Sequence, residues 1–318
     1  SSKFDYNFPN MKTLIYSLPI LLLISTACKK DGCTDPNAVN YDSKKKHVAE
    51  LCEYNEEGPY LIFKLEFDPN GERLNNFGQP ASIPAGNAAQ TPVMHKMSAH
   101  YIELAENAYV QLGDGQVIYK GAETTVGGEK AVDFSKAIIK GHGEVFYKIP
   151  LKDVQSGEFE WIRVSLTYQN YDINYKFNSN GINGNFTGRL ASFVGFNNYI
   201  QSHTIHTLTE QLNTNKLQGY WAFESFGQLL NGQAAVTTTP NPLIATSPVP
   251  PTSCIVTGMI ENGLHITGTE TQDVVVVLRL TTNNSFEWTE VTADGLYEPL
   301  IGEIPVDMGL RGLRAIKQ

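Results

Sequence analysis

The stretch EFEWIRVSLTY at positions 158–168 decides the fold, because it is the clearest β-strand in the chain. β-Branched and aromatic residues dominate it, as they do in strands generally. Its large apolar side chains do not keep one strict alternation; they are Phe159, Trp161, Val164, Leu166 and Tyr168. A regular strand with a single buried face would keep that alternation, so the pattern predicts a β-bulge or burial on both faces.

Short strands are predicted on both sides of this stretch, at 60–67, 98–104, 108–112, 117–119, 145–151, 190–196, 199–208, 219–223, 254–260, 264–267, 274–282 and 285–291. The most apolar of them, VVVVLRL at 274–280, fits the centre of a sheet. Gly113-Asp114-Gly115 is predicted to close a hairpin between the strands at 108–112 and 117–119. Short helices are expected only at 129–139 and 207–213, and long loops at 74–93 and 228–252.

Many short strands separated by Gly, Asn and Pro turns are typical of an all-β fold. We expect an antiparallel β-sandwich or jelly roll. One large domain over 59–318 is the preferred division, because no linker of repetitive composition separates the halves. A boundary between two β modules near 228–252 is the alternative.

The N-terminal part has the features of an export signal. After Met11 and Lys12, residues 14–25 are largely apolar, and this run is shorter than the ~20 residues of a membrane-spanning helix. It ends in Ser-Thr-Ala-Cys at 25–28, which resembles the lipobox of bacterial lipoproteins. The resemblance implies that residues 1–27 are removed and that Cys28 is lipidated. The alternative is an ordinary secretory signal followed by a chance cysteine.

Residues 28–58 are predicted to form a polar tether. In an oxidising compartment Cys33 and Cys52 are the natural disulfide pair, which leaves Cys254 as a buried free thiol. The stretch CTDPNAVNYD at 33–42 resembles a motif of exported proteins of the Bacteroidota. The usual acidic spacer of that motif is replaced by Lys44-Lys45-Lys46-His47, which weakens a calcium-binding interpretation.

The charge balance and the missing motifs argue against several classes of function. The net charge is −9 at pH 7, and loss of residues 1–27 makes it one unit more negative. This argues against binding to nucleic acid or to anionic lipid. No G-x-S-x-G, H-E-x-x-H or P-loop motif occurs. Glu158 and Glu160 could form a glycosidase pair, but so many carboxylates produce such a pair by chance. We therefore expect no enzyme and no cofactor.

Aromatic residues interleaved with Asn and Gln provide the main binding candidate. The selected residues are Tyr168, Tyr171, Tyr175, Tyr199 and Trp221. Rings beside amides suit a glycan or a protein surface, whereas packing in the core is the alternative. The segment 178–188 is predicted to be the exposed tip of a hairpin, where binding residues are often carried.

A second candidate is the stretch MHKMSAH at 94–100, because Met94, His95, Met97 and His100 are ligand types that suit copper. A single strand cannot direct all four to one side, so an ordinary strand junction is the alternative. The segment GEFEWIRVS at 157–165, after Ile149-Pro150, resembles a segment of MbnP-like periplasmic proteins. That resemblance implies a β-rich exported protein linked in some members to copper uptake, and it assigns no site residue.

These observations lead to one hypothesis and one rival. The hypothesis is a lipoprotein anchored in the outer membrane, facing the periplasm or the cell surface. Its non-catalytic β domain would bind a protein partner or a glycan of the cell envelope. The rival is a copper- or metal-handling periplasmic lipoprotein of MbnP-like type.

Overall fold

The computed structural model describes residues 30–35, 38, 40–53, 58–74, 79–234 and 249–318. The predicted signal peptide and the lipidation site Cys28 lie outside these residues. The chain divides into two units, Ser1–Glu56 and Glu57–Gln318. Within the described ranges, no helix has the length and apolar composition that crossing a membrane requires.

The first unit is a small disulfide-closed knot. The bond joins Cys33 to Cys52, which confirms the predicted pair. Among the described cysteines, Cys254 is free and half-buried. Strands β1 (Asp31–Gly32) and β2 (Lys46–His47) pair in parallel. The amide of Asn40 adds two cross-links near the disulfide: its Nδ2 donates to Leu51 O at 2.8 Å and its Oδ1 accepts from Glu53 N at 3.0 Å.

The second unit is all-β, as predicted. Its strands are β3 (Tyr60–Asp68), β4 (Asn87–Gln90), β5 (Val93–Ala105), β6 (Gln116–Lys120), β7 (Glu123–Thr124), β8 (Ala131–Asp133), β9 (Val145–Pro150), β10 (Gly157–Ser179), β11 (Ile182–Phe193), β12 (Asn197–Thr204), β13 (Thr209–Leu217), β14 (Tyr220–Ser225), β15 (Gln228–Gln233), β16 (Cys254–Ile266), β17 (Val274–Thr281), β18 (Phe286–Thr289), β19 (Ile304–Met308) and β20 (Leu313–Lys317). Among the described residues the helical elements are single 3-10 turns, at Ala49–Leu51 in the first unit and at Phe134–Lys136, Leu151–Asp153 and Pro299–Ile301 in the second.

The long strand β10 organises the main sheet. Its first half pairs with β16, its second half pairs with β11, and β5 runs antiparallel along its other edge. The full order is β15-β14-β11-β10-β16-β20-β17-β3-β9, and β6 joins through β5. The apolar strand β17 lies between β20 and β3 inside this sheet, as its composition predicts.

A bulge divides β10 into two halves. The pairing with β5 shifts between Leu166 and Tyr168, and one extra residue in a strand reverses which side chains point to each face. Before the bulge Leu166 contributes to the largest core cluster, whereas after it Tyr168 and Tyr171 pack on opposite faces of the sheet. A second register shift, between Phe159 and Trp161 in the pairing with β16, accompanies the change of parity within 158–168, since Phe159 and Ile162 both belong to the largest core cluster. The bulge and the two-sided burial that the sequence predicts as alternatives are therefore both present.

Two smaller sheets cover the two faces of the β10–β11–β14 region. On one face, the four-stranded sheet β13-β12-β8-β7 packs through Ile200 and the neighbouring Phe134. On the other face, the three-stranded sheet β19-β18-β4 packs through Phe286 and Trp288. This layered packing gives the predicted β-sandwich, and it fixes the hairpin β10–β11 between two apolar layers.

The strand predicted at 108–112 is wrong, because a buried ion pair holds this segment as a loop. Glu103 of β5 is fully buried, and its carboxylate accepts the backbone N–H groups of Gly113 and Gly115 at 2.9 Å each. Arg163 of β10 donates to Glu103 at 3.2 Å and to carbonyl oxygens of the same loop. The loop's polar groups are satisfied by these side chains, and β5 pairs directly with β6.

Both predicted helices are wrong as well. Residues 207–213 belong mostly to β13, which pairs along β12. Residues 129–139 contain the short strand β8 and one 3-10 turn, begun by Asp133, whose carboxylate accepts from Ser135 N at 3.2 Å. The predicted loops also contain structure, since β4 lies within 74–93 and β15 within 228–252. In all these segments pairing with another strand overrides the local propensity.

Candidate functional site: a groove beside the exposed hairpin

The hairpin β10–β11 carries the candidate site. Its strands stay paired as far as Ser179 and Ile182, and the two-residue turn uses Asn180 and Gly181 with φ of 52° and 78°. Asn-Gly suits such a turn, because it accepts left-handed backbone angles that match the twist of the strands. Most of the tip from 178 to 187 is exposed, which confirms the predicted exposed hairpin.

A groove of about 300 Å³ runs beside this hairpin. We call it the hairpin groove; its lining residues are Gln90, Asn174, Tyr175, Asn185, Phe186, Thr187, Gly295, Leu296 and Tyr297. Asn174 and Thr187 face each other across β10 and β11, and Thr187 Oγ1 donates to Asn174 Oδ1 at 2.9 Å. Asn185, another lining residue, is exposed.

Two remote segments complete the walls. Gln90, at the end of β4, holds the backbone of Asn174 with both ends of its amide, since Oε1 accepts from Asn174 N and Nε2 donates to Asn174 O, each at 2.8 Å. Tyr297 O accepts the backbone N–H of Lys176 at 2.7 Å. The groove is therefore fixed by main-chain and amide hydrogen bonds to β10.

The loop that carries Tyr297 is shaped by a buried carboxylate. Glu303 is 3% exposed, and its oxygens accept the N–H groups of Val291 at 3.1 Å and Glu298 at 2.6 Å. The turn at Gly295 has φ of 71° and donates its N–H to Glu290 at 2.6 Å. These hydrogen bonds hold the loop in one conformation. A ligand that binds against it therefore loses little affinity to the conformational entropy of ordering the loop.

The hairpin groove is lined by amide, hydroxyl, aromatic and aliphatic groups, and no acidic or basic side chain is among its described lining residues. The nearest cation, Lys176, lies 2.8 Å from Glu298 and 3.2 Å from Asp294. Hydrogen bonds to these two carboxylates raise the pKa of Lys176. Its charge is therefore balanced beside the groove, which suits an uncharged ligand.

A second groove of about 370 Å³ lies next to the first and shares Thr187 with it. We call it the arginine groove; its other lining residues are Asp172, Gly188, Arg189, His206, Thr207, Glu224, Ser225, Phe226 and Gly227. Arg189 forms a two-pronged ion pair with Asp172, and His95 Nε2 lies 2.8 Å from the same carboxylate.

Both carboxylates of the arginine groove are held in the ionised state. Burial alone would raise the pKa of Asp172, but hydrogen bonds from Arg189 and His95 lower it overall. The pKa of Glu224 is also lowered: burial opposes the shift, but hydrogen bonds from the Thr207 hydroxyl and from three successive backbone N–H groups of the β12–β13 turn outweigh it. Both carboxylates thus have hydrogen-bond partners within the protein.

The aromatic residues selected from the sequence are mostly core residues. Tyr168 is 3%, Tyr171 1%, Tyr175 6% and Tyr199 9% exposed. Trp221 is half-buried and packs against the cluster around Trp288. Their burial favours the alternative weighed from the sequence, packing in the core, over an open aromatic surface. Tyr175 alone borders the hairpin groove, and its hydroxyl lies 2.8 Å from Ser225 Oγ.

The residues of the proposed metal site lie on β5, but the structure separates their side chains. Met97 is buried in the main core and Met94 packs against it. His95 is paired with Asp172, whereas the buried His100 is paired with Glu123 at 3.1 Å. Burial lowers the pKa of His100. In the described part of the chain, no group of three or more His, Cys, Asp or Glu side chains could hold a metal ion.

Two histidines near the end of β12 and the acidic residue Glu158 have other partners or none in common. His203 is buried and bonded to Glu210 at 2.9 Å, whereas His206 is exposed beyond the end of β12. Glu158 is exposed and paired with His265. Sequence reasoning missed Gln90, Tyr297 and Phe226. Of these three, only Phe226 has a local signal, because Gly227 follows it and marks the turn that Ser225 and Gln228 close.

Comparison with known proteins adds no relative: no family model, curated protein or solved structure matches the chain.

Proposed function

We propose that this protein is a lipoprotein of the outer membrane whose β domain binds a partner of the cell envelope without catalysing a reaction. The observation that supports this most is the hairpin groove, a formed and uncharged groove on an exposed hairpin in a chain with a net charge of −9. Loops and hairpin tips on a rigid sheet commonly carry binding function.

The chemistry of the groove favours a neutral glycan. The amides of Asn174 and Asn185 and the hydroxyl of Thr187 are of the type that exchanges hydrogen bonds with sugar hydroxyls. The ring of Phe186 and the side chain of Leu296 offer apolar area to the C–H faces of a sugar. A charged glycan would have to give up hydration with no opposite charge in the groove to compensate it. A protein partner is the other outcome of the tests below.

The ionisation of the nearby carboxylates supports binding without catalysis. A glycosidase needs one carboxylic acid that stays protonated near neutral pH, which requires a raised pKa. The pKa values of Asp172 and Glu224 are both lowered. Neither group is poised to donate a proton to a leaving oxygen.

The membrane anchor rests on the apolar run that ends at Cys28. A Cys28→Ser variant should lose its lipid and pass from the detergent phase to the aqueous phase, because two or three acyl chains are what hold such a protein stably. Intact mass and phase partition measure this directly. If the variant stays in the detergent phase with unchanged mass, the anchor is not on this residue.

Binding in the hairpin groove is tested by calorimetric titration with neutral gluco- and manno-oligosaccharides. Asn185→Ala should weaken binding by about three- to tenfold, because it removes an exposed amide from the groove lining. Asn183→Ala is the matched control, since Asn183 is exposed on the same strand but outside the groove lining.

Two outcomes would change the proposal. Equal binding by both variants and the parent would move the ligand elsewhere. If no oligosaccharide binds, but an envelope protein is retained by the parent and by the Asn183 variant and is lost with Asn185→Ala, the partner is a protein.

A further inference from the structure

The hairpin groove and the arginine groove are neighbours. Thr187 lines both grooves. Consecutive residues of β11 on either side of it line one groove or the other: Asn185 and Phe186 line the hairpin groove, and Gly188 and Arg189 line the arginine groove. Each has a volume near the lower end of the range of about 300–1,000 Å³ that is typical of ligand sites. Together they would hold a longer ligand than either holds alone.

Phe226, in the arginine groove, has an unusual backbone conformation. It occupies the first position of the two-residue turn between β14 and β15, with φ of 51°, and Gly227 follows with φ of 66°. Such turns normally use Asn, Asp or Gly, because left-handed angles bring Cβ close to the backbone. A bulky residue there is an outlier, and outliers of this kind are concentrated at binding and catalytic sites.

The ring of Phe226 is not explained by packing in the core. It remains 62% exposed, and it meets Phe186 edge to face with ring centroids 4.7 Å apart. Phe186 lines the hairpin groove, so the two rings join one groove to the other. An exposed ring held by an edge contact is a flat apolar surface of the kind on which a sugar stacks.

The charged groups of the arginine groove do not call for a charged ligand. Asp172 is neutralised by Arg189, and Glu224 is bonded to the backbone of the β12–β13 turn. The exposed imidazole of His206 and the hydroxyl of Thr187 remain as polar lining groups. A neutral chain can therefore continue from the first groove into the second.

We propose that the two grooves form one extended site for a neutral oligosaccharide of several units, with Phe226 as the stacking platform of its distal part. This inference rests on the proposed function, because it assumes that the hairpin groove binds a glycan. It adds that the ligand is a chain that crosses β11 at Thr187.

The experiment compares the affinity for disaccharides and hexasaccharides of the same neutral gluco- or manno-series, measured by calorimetry on the full chain. The parent should bind the hexasaccharide at least about tenfold more tightly than the disaccharide, because the longer chain reaches the second groove. Phe226→Asn should reduce this ratio several-fold. Asn suits the left-handed turn, so the variant should keep its fold, which circular dichroism and the thermal midpoint verify.

Leu230→Asn is the matched control, because Leu230 is 61% exposed on β15 and lies outside both grooves. This variant should keep the parent's ratio. A parent that binds both lengths equally, or a Phe226→Asn variant with the parent's ratio, overturns the extended site and leaves the hairpin groove intact as a glycan site. Failure of every oligosaccharide to bind overturns the glycan assignment itself, so the two failures are distinguishable.

Discussion

Replacing Glu103 by Gln should destabilise the β domain by about 3 kcal/mol or more. The change keeps the size of the side chain but removes its charge, and it leaves the guanidinium of Arg163 buried without a counterion. Breaking a buried ion pair on one side costs about 3–5 kcal/mol. We expect the lower part of that range, because Arg163 also donates to carbonyl oxygens of the 106–115 loop. Total stabilities are about 5–15 kcal/mol, so the loss is large.

The assay is unfolding in urea, monitored by tryptophan fluorescence. Free energies of unfolding are compared between variants that share the same dependence on urea concentration (the m value). Glu106→Gln is the control, because Glu106 is an exposed residue of the same loop. The double variant Glu103→Leu, Arg163→Met should be more stable than Glu103→Leu alone, since it leaves no unpaired charge. A Glu103→Gln variant within about 1 kcal/mol of the parent, or single losses that simply add in the double variant, would refute this reasoning.

Three substitutions and one labelling experiment test separate parts of the structure. Gln90→Ala should lower stability by about 1–2 kcal/mol in urea unfolding, because it removes two hydrogen bonds to the backbone of Asn174. Cys52→Ser should make the first unit sensitive to protease without reducing agent, since the lost cross-link stabilises by about 3 kcal/mol. Because the folded pKa of Asp172 is lowered, its contribution is present above about pH 4 and is lost as the pH falls through the folded value; the stability gap between the parent and Asp172→Asn should close at low pH. Burial raises the pKa of Cys254 to about 12, so iodoacetamide should label it very slowly at pH 8 in the native protein and quickly in urea.

The strands could be predicted where local pattern and tertiary burial agree. Residues 60–67 alternate toward their end and residues 274–280 are mostly apolar, and both are strands as expected. The irregular alternation at 158–168 predicted a bulge or burial on both faces, and the pairing with β16 shifts there, between Phe159 and Trp161. The helix predicted at 207–213 was wrong because these residues form β13 by pairing with β12, and the sequence of one segment does not show which strand it pairs with.

The candidate site was harder to predict than the fold. The exposed Asn-Gly hairpin was visible in the sequence, but the sequence left open whether the rings near it bind a ligand or pack in the core, and the structure places most of them in the core. An alternating run such as that at 168–177 does not reveal that a second and a third sheet cover both faces. The groove depends on Gln90 and Tyr297, which are remote in sequence and are brought to β10 only by the folded sheets.

The central claim is that the hairpin groove binds a neutral glycan, and the most direct test is nuclear magnetic resonance of the side-chain amides. On titration with a neutral hexasaccharide of the series that binds in calorimetry, the amide signals of Asn174, Asn185 and Gln90 should shift saturably. They should shift equally at low and high salt, because no charge takes part. Saturable shifts confined to residues outside the groove, or binding that weakens steeply with salt, would contradict the claim.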